Sequence, residues 1–252
     1  MRWLLTALML LASPAMAEQV VADLSQNRVS ITTSFEGSDI FVFGAVSRDA
    51  PAPTDQGDLE VIVKVIGPSA PVMVRRKDRR FGIWVNNDAV EVDRAPHFVA
   101  LASTGELDDI VSFTDRMRYE IGYDHVVRLI DAPADVENVQ SFREAVIRIR
   151  EDEGLYKQLP DAVKLTSDTL FSTRIALPAN LVEGDYLARV YLMRDKNVLD
   201  AFETTIAVRK AGLERWIYNL AHEQPLIYGI LSILVALGAG WGAAAVFRAF
   251  QR

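Results

Sequence analysis

The feature that most constrains this chain is a stretch of 23 residues near its C-terminus that carries no charged side chain. It runs from Pro225 to Phe247 and reads PLIYGILSILVALGAGWGAAAVF. As a helix it would extend about 34 Å, and the hydrocarbon core of a bilayer is about 30 Å thick. A buried helix of a soluble domain is the alternative, but the complete lack of charge argues against it. We predict one transmembrane helix over 225–247.

The N-terminus predicts export. It reads MRWLLTALMLLASPAMA, with a positive Arg2, an apolar run from Trp3 to Ala12, and the small residues of Ala15-Met16-Ala17 at the positions that a signal peptidase reads. A retained signal anchor is the alternative, but the run is short of the roughly 20 apolar residues that a span needs. We therefore predict a signal peptide over 1–17 that is cleaved before Glu18.

The distribution of charge predicts an orientation. The segment from Glu18 to Gln224 holds 24 basic and 34 acidic residues, whereas Arg248 and Arg252 follow the apolar stretch. Positive segments beside a span stay in the cytoplasm. We expect a single-pass protein of the bacterial inner membrane, with its bulk in the periplasm and a cytoplasmic tail over 248–252.

Small residues recur every four positions within the apolar stretch and are expected to form a stripe along the helix. Two further glycines are expected to lie beside this stripe. Small side chains allow a second helix to approach closely, which predicts a homodimer or docking to a membrane-protein partner. Composition alone is the alternative, because glycine and alanine are common in membrane helices. The candidate helix-packing residues are Ser232, Ala236, Gly240 and Ala244, with Gly238 and Gly242 beside them.

The segment between the signal peptide and the span alternates short β-rich runs with turn residues. Its last part includes Gly184-Asp185-Tyr186, which is typical of the tyrosine corner of immunoglobulin-like domains. We predict a mainly β fold over 18–211, an immunoglobulin-like β-sandwich with helical insertions. The predicted strands are Arg28–Thr33, Asp39–Val46, Leu59–Ile66, Val72–Arg75, Arg80–Val85, His97–Ala102, His125–Ile130, Leu170–Leu177, Asp185–Met193 and Val198–Val208.

Three helical stretches are also predicted. The first lies within Glu106–Glu120, and the second, Val136–Glu153, ends at Gly154. A juxtamembrane helix over 212–224 leads into the span. In the second helix, apolar residues at spacings of three and four form a stripe that we expect to pack in the core: Val139, Phe142, Val146 and Ile149.

A basic cluster is prominent in this acidic chain. Arg75-Arg76-Lys77-Asp78-Arg79-Arg80 lies between two predicted strands, which places it at a hairpin tip. Such a tip could bind lipid phosphates, an anionic ligand or an acidic partner; a solvated turn is an equal alternative. Trp84 is interpreted as a core residue, with an exposed recognition residue as the alternative. The candidate binding residues are Arg75, Arg76, Lys77, Arg79, Arg80, Trp84 and Asn86.

The composition excludes several classes of function. The chain has no cysteine, so disulfides, thiolate metal sites and cysteine nucleophiles are absent. Its formal charge of −7 argues against a nucleic-acid partner. Its three histidines, His97, His125 and His222, do not occur at metal-ligand spacing. We expect no catalytic residue, no metal and no cofactor; an enzyme that uses His125 with carboxylates is the alternative.

Several short motifs occur in order along nearly the whole chain: Phe35-Glu-Gly37, Gly67-Pro68, Arg75–Lys77, Gly82-Ile-Trp-Val-Asn86, Gly154-Leu-Tyr156, Leu170-Phe171, Leu177-Pro178, Gly184-Asp-Tyr186, Leu226-Ile-Tyr-Gly229 and Gly240-Trp-Gly242. In this order they resemble the alphaproteobacterial "putative transmembrane protein" family. Asp195-Lys196-Asn197 departs from the glycine turn of that family. The resemblance supplies no catalytic residues, and it implies that members accompany a sulfite-exporter-type permease.

Together these features predict a membrane-anchored periplasmic protein that is not an enzyme. Its expected role is that of an interaction or accessory module for a membrane protein in the lipid bilayer. The alternative is a protein that binds an anion or a lipid headgroup through the Arg75–Arg80 cluster, in connection with the permease.

Overall fold

The computed structural model describes residues 18–32, 35–48, 57–130, 136, 138–210 and 213–250. The predicted signal peptide therefore lies outside the described residues. The strands are β1 (Glu18–Leu24), β2 (Arg28–Ile31), β3 (Ser38–Arg48), β4 (Leu59–Ile66), β5 (Ser69–Arg80), β6 (Ile83–Pro96), β7 (Val99–Ser103), β8 (Tyr156–Leu159), β9 (Lys164–Thr166), β10 (Leu170–Leu177), β11 (Gly184–Arg194) and β12 (Asn197–Lys210).

The helices of the described residues are α1 (Leu107–Ile110), α2 (Phe113–Arg118), α3 (Tyr123–Val126), α4 (Gln140–Asp152), α5 (Leu213–Glu223) and α6 (Pro225–Phe250). The predicted mainly β fold is thus confirmed. By internal contacts the chain divides into two units, which are described separately. Among the described residues, one unit holds 18–29 and those between 36 and 208, and the other holds 30–32, 35, 209–210 and 213–250.

The strands form two larger sheets and one long hairpin. The first sheet has the order β1-β3-β10-β9, the second has the order β2-β12-β11-β4-β7-β8, and β5 pairs with β6 alone. In the first sheet, alternate residues such as Ile40 and Val42 on β3, and Phe171 and Ile175 on β10, are buried. One face of this sheet therefore belongs to the core.

In the second sheet, β4 and β7 are buried on both faces, whereas β12 is exposed or half-buried over most of its length. On β4, Val61 and Val63 point to one face while Ile62 and Lys64 point to the other, and all four are fully buried. The first face meets β1, where the Val20 amide donates a hydrogen bond of 2.8 Å to the Asp200 carboxylate. The opposite face is covered by the segment that contains α1–α3. The body is therefore built of two sheets and a helical layer.

The helical insertion follows from the pairing of β7 with β8. These strands are parallel, and parallel neighbours require a crossover connection instead of a tight hairpin. Helices α1–α4 all lie in that connection. The helical layer is thus a topological consequence of the sheet order, and not a separate domain.

Glu18 joins the two sheets at the beginning of β1. Its carboxylate pairs with Arg48 on β3 at 2.7 Å and with Arg194 on β11 at 2.7 Å. Burial by itself raises the pKa of Glu18, but the hydrogen bonds from Arg194 and Arg48 outweigh it and hold that pKa below its ordinary value. The charged carboxylate therefore stabilises the contact between the sheets.

The predicted strand Arg80–Val85 is wrong at its start, because Phe81 and Gly82 form the turn between β5 and β6. Within the β7–β8 connection, three further predicted elements differ from the structure. The predicted strand His125–Ile130 is wrong, because its start belongs to α3 and only a bridge from Arg128 to Arg94 follows. The single helix within Glu106–Glu120 is two short helices, since Ser112 ends the first segment and caps α2.

The third difference concerns the amphipathic helix α4. It starts at Gln140 instead of Val136, and Gly154 follows its end at a φ of 69°, as predicted. Phe142 and Val146 of its apolar stripe are buried. Ile149, however, is 46% exposed, so the expectation that the whole stripe packs in the core is wrong at its last turn.

Gly44 on β3 allows the closest approach within the first sheet. A Cβ at this position would overlap the Phe171 ring and the Val21 carbonyl oxygen. We predict that Gly44→Ala destabilises the purified full-length protein by about 3 kcal/mol, because the backbone of β1 must shift. Urea unfolding in detergent measures this change.

Gly105→Ala is the matched control. Its new Cβ would lie 3.5 Å from the Ile110 side chain, an ordinary contact. We expect this variant to stay within about 0.5 kcal/mol of the wild type. Equal stability of the two alanine variants would contradict the packing described at Gly44.

Candidate interaction surfaces

Helix α6 is long and apolar enough to cross a membrane by length and composition. The segment Pro225–Ala244 has a mean hydropathy of 1.9, and none of its 18-residue apolar window is buried within the protein. The helix continues to Phe250, beyond the predicted end of the span at Phe247. Large side chains such as Leu226 and Trp241 are exposed. Their burial requires a lipid or protein environment.

The small residues of α6 form two faces instead of one. At 3.6 residues per turn, Ser232, Ala236, Gly240 and Ala244 follow one side of the helix. Gly238 and Gly242 lie about 180° around the helix axis from the middle of that stripe. The prediction of adjacent positions is therefore wrong for these two glycines. A Cβ added at Gly238 or Gly240 would meet no atom within 4 Å, so both faces are open.

The basic cluster lies on a strand and not in a turn. Strand β5 continues through all five cations to Arg80, and Phe81-Gly82 forms the turn to β6. The expectation that the cluster lies between two strands is wrong, because the cross-strand pairing of β5 and β6 extends to Arg80 and Ile83; Arg79 and Arg80 do lie at the end of the hairpin. Strand alternation instead places Arg75, Lys77 and Arg79 along one face.

Arg76 differs from the other cations of the cluster. It points to the opposite face of β5, forms an ion pair with Asp88 on β6, and lies 5.3 Å over the Phe142 ring of α4. Val90 and Val92 on the same hairpin are fully buried. Arg76 therefore fixes the stem of the hairpin, while Arg75, Lys77, Arg79 and Arg80 are exposed.

Trp84 is exposed instead of buried. Its exposed fraction is 67%, so the interpretation of Trp84 as a core residue is wrong. The reason is that the hairpin projects beyond its stem, and the residues from Lys77 to Asn86 have no covering layer apart from each other. Trp84 pairs with Arg79 across the hairpin, and the exposed Asn86 pairs with Lys77. The structure thus brings these two candidates to the face of the basic residues.

The sequence analysis missed the apolar end of this hairpin. Phe81 is fully exposed and Ile83 is 65% exposed. Phe81 has a φ of 51° and Gly82 a φ of 86°, as the two central residues of a type I′ turn require. The glycine beside the basic cluster was the available signal. It was overlooked because the preferred residue before such a glycine is asparagine or aspartate, not phenylalanine.

A groove of about 470 Å³ opens beside the helical layer. Two of its charged groups pair with each other, since Arg189 donates to Glu203 at 2.5 Å. Glu120 instead accepts from two residues outside the lining, Arg94 at 3.3 Å and Arg128. These pairs hold the walls of the groove together. The lining residues are Arg118, Tyr119, Glu120, Arg189, Tyr191, Ala201, Phe202 and Glu203.

Lys64 lies beneath this groove and has no exposed surface. Its ammonium group donates to the carbonyl oxygens of Tyr119 at 2.8 Å and Glu120 at 3.0 Å, and it lies 5.6 Å from the Tyr191 ring. Burial, with Arg189 nearby, lowers the pKa of Lys64 to about 8. Its charge within the otherwise apolar run Val61–Ile66 is the sequence signal for this site.

The histidines do not converge on a catalytic arrangement in the described part of the chain. His97 donates to the Asn180 carbonyl at 2.9 Å, and His222 stacks on Tyr218. His125 lies edge-on to Phe113, and burial lowers its pKa. Its neighbour Asp124 faces Arg143 at 3.5 Å. Among the described residues no three acidic or histidine side chains could hold a metal ion.

Residues 19–249 match the family model described as "Putative transmembrane protein (Alph_Pro_TM)". The chain belongs to this family, and the resemblance drawn from its motifs is confirmed. The match includes the hairpin, the helical layer and nearly all of α6. No curated protein and no solved structure matches the chain.

The buried ammonium predicts a pH dependence of stability. The pKa of Lys64 is about 8 in the folded chain and 10.5 ordinarily, so the unfolded chain binds more protons between these values. The free energy of unfolding contributed by Lys64 therefore rises with pH from about 8. The facing charges are Arg189, Glu120, Arg94 and Glu203.

The test compares the full-length wild type with Lys64→Met by urea unfolding in detergent, below the ordinary tyrosine pKa of 10.0, because Tyr191 acts in the opposite direction above it. We expect the wild type to gain stability relative to Lys64→Met as the pH rises above 8. If the difference in unfolding free energy between the wild type and Lys64→Met stays constant with pH, the lowered pKa of Lys64 is contradicted.

Proposed function

We propose that this protein is a non-enzymatic interaction or accessory module for a membrane protein, held in the bacterial inner membrane by α6. The single observation that carries the proposal is the uncovered apolar surface of α6, which runs through Pro225–Ala244. The body adds two exposed surfaces, the hairpin and the groove. Neither brings together the nucleophile, base and electrophile that catalysis would need.

We further propose that the body faces the periplasm. This proposal draws support from the signal-peptide pattern of residues 1–17 and from the excess of acidic over basic residues between Glu18 and Gln224. Arg248 lies near the end of α6 and is expected to remain cytoplasmic. On this proposal α6 is a single span and the body is an exported domain.

The finer fold proposed for the body is an immunoglobulin-like sandwich. In support, the Tyr186 hydroxyl donates to the Val182 carbonyl at 2.9 Å, which is the hydrogen bond of a tyrosine corner. Gly67 makes room for the ring, since a Cβ there would lie 2.8 Å from it. The parallel pair β7–β8 departs from that fold. An experimental structure in which the two sheets do not pack face to face would reject the assignment.

We propose that the face of α6 with Ser232, Ala236, Gly240 and Ala244 contacts a helix of the partner. Close approach of backbones gains packing only where side chains are small. Between Ser232 and Ala244 the stripe holds a small residue at every turn, whereas the opposite face has Leu234 before Gly238 and Gly242. The same face could instead contact α6 of a second copy, and the experiment below distinguishes this homodimer from a complex with another membrane protein.

The test is crosslinking in native membranes with the full chain and two matched variants. Gly240→Leu fills the proposed face, and Gly238→Leu adds the same side chain on the opposite face. We expect Gly240→Leu to reduce the crosslinked membrane partner roughly tenfold and Gly238→Leu to leave it unchanged. Equal recovery from all three chains would refute docking through this face, and a product of two copies would show a homodimer.

A second candidate function is binding of a small anion or lipid headgroup by the Arg75–Arg80 cluster, in connection with a sulfite-exporter-type permease. The observation in its favour is the row of Arg75, Lys77 and Arg79 on one exposed face of β5. Cations two residues apart on a strand lie close enough to share one anion.

Calorimetry on the full chain in neutral-lipid nanodiscs tests the second function with sulfite, sulfate and phosphate. We expect binding that is lost when Arg75, Lys77, Arg79 and Arg80 are all changed to glutamine. The matched control changes the exposed Arg28 and Arg174 to glutamine. No heat with any anion, or equal binding by both variants, would reject small-anion binding.

A further inference from the structure

The end of the β5–β6 hairpin carries an unusual concentration of exposed apolar surface. Phe81, Ile83 and Trp84 are 106%, 65% and 67% exposed, and they lie within four residues of each other. Exposed apolar residues are ordinary when scattered, but a cluster at one projecting point indicates a contact surface.

The backbone of the turn is strained in a way that favours a function for Phe81. Its φ of 51° lies in the left-handed region, where asparagine or glycine is preferred at this position of a type I′ turn. The Phe81 side chain is fully exposed, so burial within the protein does not stabilise it. Neither backbone preference nor burial in the fold explains the choice of phenylalanine.

The register places cations beside the apolar side chains. Arg80 pairs with Ile83 and Arg79 pairs with Trp84, so each of these apolar side chains has an arginine about 5 Å across the hairpin. Lys77 lies further from the turn, on the face of Arg79. Apolar and cationic side chains therefore share the end of the hairpin, as in segments that lie at the interface of anionic membranes.

We propose that this end of the hairpin inserts into the surface of an anionic lipid bilayer. Phe81, Ile83 and Trp84 would enter the region between headgroups and acyl chains, and the long side chains of the neighbouring arginines would extend to the lipid phosphates. Charge complementarity selects an anionic bilayer as the occupant. The chain's own apolar helix α6 provides that bilayer at high local concentration.

Contacts of the stem hold the β5–β6 hairpin against the rest of the body. Arg76 joins Asp88 and the Phe142 ring, and Val90 and Val92 are fully buried beneath it. Little ordering is therefore needed when the end enters lipid. The proposal deepens the second candidate function, since it rests on the same basic cluster and names its ligand as a membrane surface.

The experiment uses the absence of cysteine from the chain. Full-length Ile83→Cys, labelled with an environment-sensitive fluorophore, is reconstituted in vesicles of phosphatidylcholine alone or with phosphatidylglycerol. Ala89→Cys, on the same hairpin nearer its stem, is the matched label position. We expect a blue shift and quenching by nitroxide lipids for the Ile83 label in phosphatidylglycerol vesicles, and neither for the Ala89 label.

Two variants in the Ile83→Cys background separate the contributions. Phe81→Asn keeps or improves the turn, because Asn-Gly is the preferred type I′ pair, and we expect it to lose the quenching. Arg79→Gln with Arg80→Gln is expected to lower the inserted-to-free ratio about 30-fold, since each arginine interacts with anionic lipid.

Three results would overturn the proposal. An Ile83 label that stays aqueous in both lipids would exclude insertion, and equal quenching in both lipids would exclude the role of anionic headgroups. A label that becomes buried only in native membranes would assign the hairpin to a protein partner. Sulfate or phosphate binding without insertion would support small-anion binding by the Arg75–Arg80 cluster and refute only the insertion into lipid.

Discussion

The apolar side chains of α6 find no cover within the protein, and the anchoring of the whole chain depends on that lack. A 20-residue helical segment with a mean hydropathy of 1.9 and no buried window cannot remain in water without a large free-energy cost. Lipid removes this cost and also satisfies the geometry, because a helix pairs all its backbone groups internally. Anchoring confines the body to a membrane surface and makes weak surface contacts effective.

In the body, the β5–β6 hairpin extends from two packed sheets. Strand β4 of the second sheet is covered on both faces, and Lys64 is tolerated there only because two backbone carbonyls accept from it. Glu18 joins the first sheet to the second through Arg48 and Arg194. The β5–β6 hairpin pairs with neither sheet. Its stem still contributes Val90 and Val92 to the core, and only the end of the hairpin is free for contact.

Much of the architecture could be predicted from periodicity. The buried strands β4, β10 and β11 alternate or run apolar, and α6 carries no charge from Pro225 to Phe247, which is typical of a membrane span. The hairpin was only half predictable, because charged residues such as Arg79 and Arg80 carry little strand signal and their pairing with β6 depends on tertiary context. The exposure of Trp84 depends on where the supporting layers end. That limit is set by α4, which is distant in sequence.

The most direct test is thiol accessibility in spheroplasts. A full-length chain with Asp58→Cys, an exposed residue of the body, is compared with one that carries a cysteine added after Arg252. A membrane-impermeant maleimide is expected to label Asp58→Cys at once and the C-terminal cysteine only after the membrane is opened. Labelling of both cysteines in closed spheroplasts, or of the C-terminal one alone, would contradict a single span with the body outside.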